Sequence, residues 1–326
     1  MRSGLRDHKE TGNMRLLITG GAGFIGSHIA DEALARDWEV AIIDNLSTGR
    51  RENIPNGAIL FELDIRSRES VHQAFRDFQP QVVSHQAAQA SVAISVKQPV
   101  LDAEINIIGS LNLLDAAVAQ QVERFVFAST GGAIYGEVPE GTAASETTPP
   151  HPLSPYAASK YAVENYLRCY EREHGLQTTV LRYANVYGPR QDPHGEAGVV
   201  AIFLNRLIAG EPLRINARVT TGDDGCIRDY VHVRNCAQAN IAAAAGELPV
   251  RLMNVGTGQG ISTRMLADTL QSLAGTHSAL EFGPLRAGDT ERSVLSPALF
   301  QQHIGPPTSL DEGLQDTVNW FRASKR

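Results

Sequence analysis

Leu16-Leu17-Ile18-Thr19-Gly20-Gly21-Ala22-Gly23-Phe24-Ile25-Gly26 decides the fold of this chain. A short apolar run reads as a buried strand, and glycines at Gly20, Gly23 and Gly26 follow it at once, opening a helix of about a dozen residues from Phe24. A helix start offers unpaired N–H groups and the positive end of its dipole to a pyrophosphate, and glycines let the backbone approach that group closely. The glycines alone suit a turn as well as a ligand. A strand before them, a helix after them and an acid at the end of the next strand make the pattern a dinucleotide site. That acid is Asp44, placed to accept hydrogen bonds from an adenosine ribose and to repel the extra phosphate of NADP. Arg50 and Arg51 count the other way, because arginines near that loop suit a 2′-phosphate, but exposed loop arginines are commonplace. The cofactor expected is NAD. Asp64-Ile65 ends the third strand where an adenine would lie.

Outward from this stretch, strand-like and helix-like segments alternate: strands at residues 40–44, 59–64, 81–85, 124–129 and 179–183, with a long helix over about 100–120. This is the signal of parallel βαβ units. The fold class expected is α/β, a Rossmann-type doubly wound parallel sheet with a smaller C-terminal α/β substrate-binding domain. Residues 14–182 are read as the NAD-binding domain and 183–326 as mainly the substrate-binding part, with room for segments to return to the sheet. Residues 1–13, ahead of the second methionine Met14, are read as a disordered extension or an upstream start.

With 326 residues, 42% hydrophobic and 20% charged, the chain reads as an ordinary globular protein able to bury a large core. A formal charge of −7 argues against a general nucleic-acid binder, which needs a concentrated basic surface. No apolar run reaches the roughly 20 residues of a membrane span, and a cytoplasmic location is the expectation. Cys169, Cys226 and Cys236 show no metal-ligand spacing and are read as reduced structural thiols; no metal is expected.

Tyr156 and Lys160, in Ser154-Pro155-Tyr156-Ala157-Ala158-Ser159-Lys160, lie four apart and so share a helix face, with Pro155 suited to the first turn. An ammonium beside a phenol favours the phenolate of a group whose ordinary pKa is about 10, which makes a general base. Such pairs are common on exposed helices. Beside a dinucleotide motif the catalytic reading prevails.

Taken together the motifs are similar to those of the extended short-chain dehydrogenases/reductases, and within them the nucleotide-sugar epimerases of the UDP-glucose 4-epimerase kind. The likeness runs from Met14 to about Phe321 and is carried by the residue runs 19–28, Asp44-Asn45-Leu46-Ser47-Thr48-Gly49, 85–92, Ala128-Ser129-Thr130-Gly131-Gly132-Ala133-Ile134-Tyr135-Gly136, Tyr156 to Lys160, and 182–190. The resemblance implies inversion at C4 of a UDP-hexose through a 4-keto intermediate with NAD held throughout: Tyr156 as base, Lys160 beside it, and Thr130, or less readily Ser129, sharing the C4 proton. It implies cofactor contacts from Gly20, Gly23, Phe24, Ile25, Gly26, Asp44, Asn45, Ser47, Thr48, Gly49, Asp64, Ile65, Gln86, Ala87, Ala88, Gln89, Tyr156, Lys160 and Tyr183. Substrate contacts are implied for Ser91, Thr130, Asn185, Val200, Arg228, Arg286 and Asp289. Arginine at 228 and 286 suits a diphosphate, which its planar fork binds through two bonds; for any single arginine, Arg190 included, a surface salt bridge is the commoner role.

Departures narrow the reading. Relatives that dehydrate or decarboxylate the sugar carry an acid after this strand, where Gly131 and Gly132 stand here. Asn185 stands where glucuronate epimerases carry threonine, which favours a neutral sugar. Ser293 is small where some relatives have a bulky tyrosine, so N-acetylated sugars enter the candidate list. UDP-glucuronate epimerisation, a net oxidoreductase and a non-catalytic dinucleotide sensor are the alternatives. Relatives of this kind dimerise through two long helices, here about 100–120 and 156–173, with Ile105, Ile108, Tyr166 and Cys169 as interface or core residues. A homodimer is expected.

Overall fold

Seven parallel strands form the centre of the molecule, in the order β3-β2-β1-β4-β5-β6-β10. The computed structural model describes residues 13–194, 198–285 and 290–324. The strands are β1 (Arg15–Thr19), β2 (Glu39–Asp44), β3 (Ile59–Glu62), β4 (Val82–His85), β5 (Arg124–Thr130), β6 (Gln177–Tyr183), β7 (Asn185–Tyr187), β8 (Leu213–Asn216), β9 (Ile227–His232), β10 (Leu252–Val255), β11 (Gly260–Ser262), β12 (Leu280–Gly283) and β13 (Arg292–Ser293). The helices are α1 (Phe24–Leu34), α2 (Arg68–Phe78), α3 (Val92–Lys97), α4 (Pro99–Ala103), α5 (Gly109–Ala119), α6 (Gly131–Ile134), α7 (Pro155–His174), α8 (Val199–Ala209), α9 (Val233–Ala244), α10 (Thr263–Ala274), α11 (Ala298–His303) and α12 (Leu310–Ser324).

Strands β1, β2 and β4 are buried nearly end to end, as parallel strands covered on both faces must be. Alternate residues serve opposite layers: Leu16 and Ile18 pack with Ile29, Ala33 and Ala237 of α1 and α9, while Leu17 packs with Phe75, Leu113 and Val163 of α2, α5 and α7. The order of strands reverses between β1 and β4, and a crevice opens there at their carboxyl ends.

The long helix expected over 100–120 is not uniform. Between α4 and α5 the residues Glu104–Ile108 form a π turn, a local widening that recurs at functional sites. The third strand stops at Glu62, two residues short of the expected end, so Asp64 sits on the loop beyond it.

The later part of the chain divides its residues. Helix α9 and strand β10 join the sheet layer, with β10 parallel to β6. The rest builds a smaller body: β9 between β11 and β13, with β7 also pairing β9, and the pair β8–β12, over a core of Phe203, Leu204, Leu266, Leu270, Leu314 and Phe321 from α8, α10 and α12. The alanine run at 242–245 forms the end of α9 and its cap, as helix interior. Cys226 and Cys236 are buried free thiols, but Cys169 is exposed on α7, so packing does not account for it.

Candidate active site

The β1–α1 turn is shaped by what a side chain would strike. Gly20 has φ +68° and a Cβ there would lie 2.8 Å from the Ala87 nitrogen, on the neighbouring strand's loop. A Cβ on Gly26 would overlap the Gly20 carbonyl oxygen and lie 2.8 Å from Gly21 Cα. No side chain caps α1, so the first-turn N–H groups at Phe24 and Ile25 face the crevice as an anion site.

Asp44 ends β2 beside this turn, its carboxylate accepting from Ala22 N at 3.0 Å and Leu46 N at 2.9 Å. Burial pushes its carboxyl up from the usual range, and the two amide bonds act against that. Each oxygen keeps acceptor capacity for a ribose hydroxyl. Arg50 is bonded to Asp192 at 2.8 Å and Arg51 to Glu62, so both arginines that suited a 2′-phosphate are engaged by carboxylates. Asn45 positions the loop, its Oδ1 accepting from Ser47 N at 3.1 Å and its Nδ2 donating to Asp64 at 3.1 Å. Arg66 also donates to Asp64 at 2.7 Å, and its hydrogen bonds hold that carboxyl at about 2.

The floor beneath is a chain of buried hydrogen bonds. His85 Nδ1 meets Thr19 Oγ1 at 2.6 Å and His85 Nε2 meets Ser110 Oγ at 2.9 Å, while burial, then the Lys160 charge, keep His85 far below its ordinary pKa and neutral. Tyr183 is buried with its hydroxyl donating to Gln86 Oε1 at 3.3 Å and accepting from Asn240 Nδ2, so its ring, not its hydroxyl, is available to a ligand. Asn106 accepts from Gln89 N and donates to Gln89 O, both at 2.9 Å; it fastens the loop after β4.

All the residues expected at the cofactor line one cleft of about 660 Å³, from Gly20 and Asp44 at one end to Tyr156, Lys160 and Tyr183 at the other. The glycine cradle, the buried acid Asp44 and a cleft of this volume fit a dinucleotide. Sequence reading missed Leu101, Ile105, Gln191, Asp192 and His194 on the same walls. Nothing in their local pattern marks them.

Tyr156 is the second residue of α7, after Pro155 at the first helical position and Ser154, whose Oγ accepts from Ala157 N at 3.3 Å. Lys160, one turn on, is 3% exposed; its Nζ donates to Ala128 O at 2.9 Å and lies 4.8 Å from the centre of the Phe127 ring. Ser129 Oγ donates to Glu164 at 2.6 Å, and Glu164 also accepts from Arg182 at 2.9 Å, so this hydroxyl belongs to a buried ionic network. Thr130, the next residue, leaves α6 without a side-chain cap. A Cβ on Gly131 would overlap Leu295 and come within 3.1 Å of Arg182 O, whereas one on Gly132 would meet Asn185 Nδ2 at an ordinary 3.5 Å. A side chain at 131 would therefore have to displace the tip of Leu295 and would press on the Arg182 carbonyl, whereas one at 132 has room.

Of the expected substrate residues, Ser91, Thr130, Asn185, Val200 and Arg228 are described, and none of these five is among the residues lining the cleft. Ser91 caps α3, accepting from Ile94 N at 3.3 Å. Asn185 Nδ2 donates to Asp229 O at 3.1 Å on β9. Arg228 Nη1 and Nη2 donate to Ile227 O at 3.0 Å and Thr290 O at 2.6 Å. Val200 is buried near the start of α8. Ser293 is buried on β13 opposite Arg228. Arg190 takes the salt-bridge role, with Asp31 at 2.7 Å. Arg286 and Asp289 lie outside the described residues, as do residues 1–12.

Comparison with known proteins agrees with this geometry. The NAD dependent epimerase/dehydratase family model matches residues 16–256. A UDP-glucose 4-epimerase of Mycolicibacterium smegmatis is 40% identical over 315 residues, 95% of this chain and 99% of that protein. The crystal structure of a Thermus thermophilus UDP-glucose 4-epimerase in complex with NAD superposes with a TM-score of 0.91 at 54% identity, over 95% of this chain and 100% of that one. That of a Thermotoga maritima UDP-glucose 4-epimerase with UDP-glucose gives 0.90 at 45% identity, over 96% and 100%. By its glycine cradle, its Tyr156–Lys160 turn and these matches along nearly its whole length, the chain belongs to the NAD dependent epimerase/dehydratase family.

Proposed function

We propose that the protein is an NAD-retaining 4-epimerase of a UDP-hexose, with Tyr156 as its proton-transfer base. The observation that carries this is that Tyr156 and Lys160, on one helical turn, both line the cleft, next to a strand end where Gly131 and Gly132 offer no further acid or base.

The dinucleotide, when bound, supplies a hydride acceptor that is also the donor on the return step. Tyr156 takes the proton of the C4 hydroxyl as the sugar becomes a 4-ketone, and gives it back after the ketone has presented its other face. Lys160 is held by the Ala128 carbonyl and the Phe127 ring, which fixes a positive charge under the phenol. Thr130 shares the C4 proton; Ser129, committed to Glu164, holds the strand end in place. With no carboxyl at 131 or 132, nothing there drives elimination from the ketone. Arg228 holds the diphosphate from its seat on β9, and Asn185 supports it from β7.

The same reading includes a homodimer. Val100, Ile108 and Tyr166 are exposed along the outer face of the α4–α5 and α7 helices with Cys169, a face suited to a second copy, whereas Ile105 is partly buried against the core at the cleft wall. Among the described residues no helix is long and apolar enough to cross a membrane. A cytoplasmic setting goes with free thiols.

Purified protein given UDP-galactose without added NAD is expected to form UDP-glucose; a net oxidoreductase would stop after one turnover. UDP-N-acetylglucosamine and UDP-glucuronate in parallel assays decide the sugar. Tyr156→Phe is expected to lower kcat by about a thousandfold with bound NAD retained. Unchanged turnover would remove Tyr156 from the chemistry.

A further inference from the structure

Asp102 is a carboxylate with no exposed surface, on α4. Its Oδ1 accepts from Gln89 Nε2 at 2.8 Å and Asn106 Nδ2 at 3.1 Å, and its Oδ2 accepts from the Ser159 hydroxyl. These donors come from three segments: the loop after β4, the π turn and the helix of Tyr156. Gln89 uses the other end of its amide as well, its Oε1 accepting from Ser91 N at 2.6 Å. Burying a carboxylate among neutral donors carries a desolvation cost that an apolar side chain of similar size would not incur. A carboxylate can do here what such a side chain cannot, accepting bonds from several segments at once.

This convergence reaches the site. Gln89 and Ala90 line the cleft. Ser159 lies three residues after Tyr156 and one before Lys160, on the same turn of α7. One rigid acceptor therefore ties the loop flanking the reacting centre to the turn that carries the base. We propose that Asp102 is a positioning residue that sets the spacing between the Gln89–Ser91 loop and the Tyr156–Lys160 turn. For its effect on chemistry this rests on the epimerase reading; the tie itself does not.

The test compares Asp102→Ala and Asp102→Asn holoenzymes with the wild type in kcat, KM, bound NAD and amide exchange over residues 86–92. Asparagine can keep the geometry, its oxygen accepting from Gln89 and Asn106 while its nitrogen donates to Ser159. Asp102→Ala is expected to lower kcat about a hundredfold with KM within about threefold, NAD retained and exchange at 86–92 raised about tenfold, and Asp102→Asn to stay within about threefold of wild type in all four. Alanine kcat within about twofold of wild type, an asparagine variant as impaired as alanine, or unchanged exchange over 86–92 would each overturn the proposal. A wild type without epimerase activity would refute the assigned function instead, and exchange would still decide the tie. If Asp102→Ala does not fold, Ser159→Ala removes one bond of the three and is expected to lower kcat about tenfold; an unchanged kcat would overturn the proposal.

Discussion

At the β1–α1 turn the cleft is faced by backbone and one buried carboxylate, whereas around β9 the candidate ligand groups are side chains brought in from distant parts of the chain. Gly20, Gly23 and Gly26 lie within seven residues, and the atoms they would strike if substituted are mostly main-chain atoms that have nowhere to go. Arg228 instead rests on the carbonyls of Ile227 and Thr290, with Asn185 anchored on the neighbouring strand. The first end is stiff and shaped by the absence of side chains. The second is shaped by the reach of side chains, whose torsions make it the more adjustable of the two.

The largest effect should come from adding one methyl to the stiff end. Gly26→Ala places Cβ against the Gly20 carbonyl and Gly21 Cα, both backbone. Overpacking of this kind costs about 1–3 kcal/mol, and because the strain falls on the cradle, the purified variant is expected to carry less than about a tenth of the wild-type NAD, with a lowered Tm. Full NAD occupancy would show that the turn yields, and the contrast between the two ends would fail.

At the adjustable end, Arg228→Ala should raise KM for the UDP-sugar roughly tenfold to a hundredfold, the loss of about 1.5–3 kcal/mol for bonds from a charged donor, while NAD content stays at the wild-type level. Steady-state kinetics with NAD quantified after denaturation separates the two. Joint loss of NAD and substrate affinity would mean that the ends act as one site.

The smallest effect concerns the joint between the two bodies. His232, at the end of β9, is 2% exposed and 3.4 Å from Asp316 of α12, and burial pulls it down to about 4. The unfolded chain binds its proton near pH 6.5. Its contribution to stability is therefore complete above that pH and is lost progressively as pH falls from 6.5 towards 4. His232→Gln should flatten that part of the Tm–pH profile relative to the wild type, with NAD content unaltered at neutral pH. Identical profiles would remove this group from the joint.

How far these ends were legible in sequence follows the same division. The cradle, Asp44 and the Tyr156–Lys160 turn were readable because each depends on spacing within a strand, a turn or a helix, and periodicity alone sets which atoms share a face. Arg182 offered a partial signal as a charged residue inside an apolar strand, but its partners Glu164 and Tyr135 lie on other parts of the chain. Asp102 offered none, since its donors at positions 89, 106 and 159 meet only after α4, the π turn and α7 pack together.

By itself, then, the sequence determined the parallel sheet, the dinucleotide turn, the choice of NAD over NADP suggested by Asp44, and the placing of Tyr156 and Lys160 on one helical turn, all consequences of local backbone geometry. Only the tertiary structure decided that β10 closes the sheet beside β6, that Arg50 and Arg51 are occupied by Asp192 and Glu62, that Ser129 turns to Glu164, and that a side chain at 131 would press on Leu295 while one at 132 would not. These are long-range pairings and collisions. They depend on how segments far apart in the chain pack, which no local spacing records.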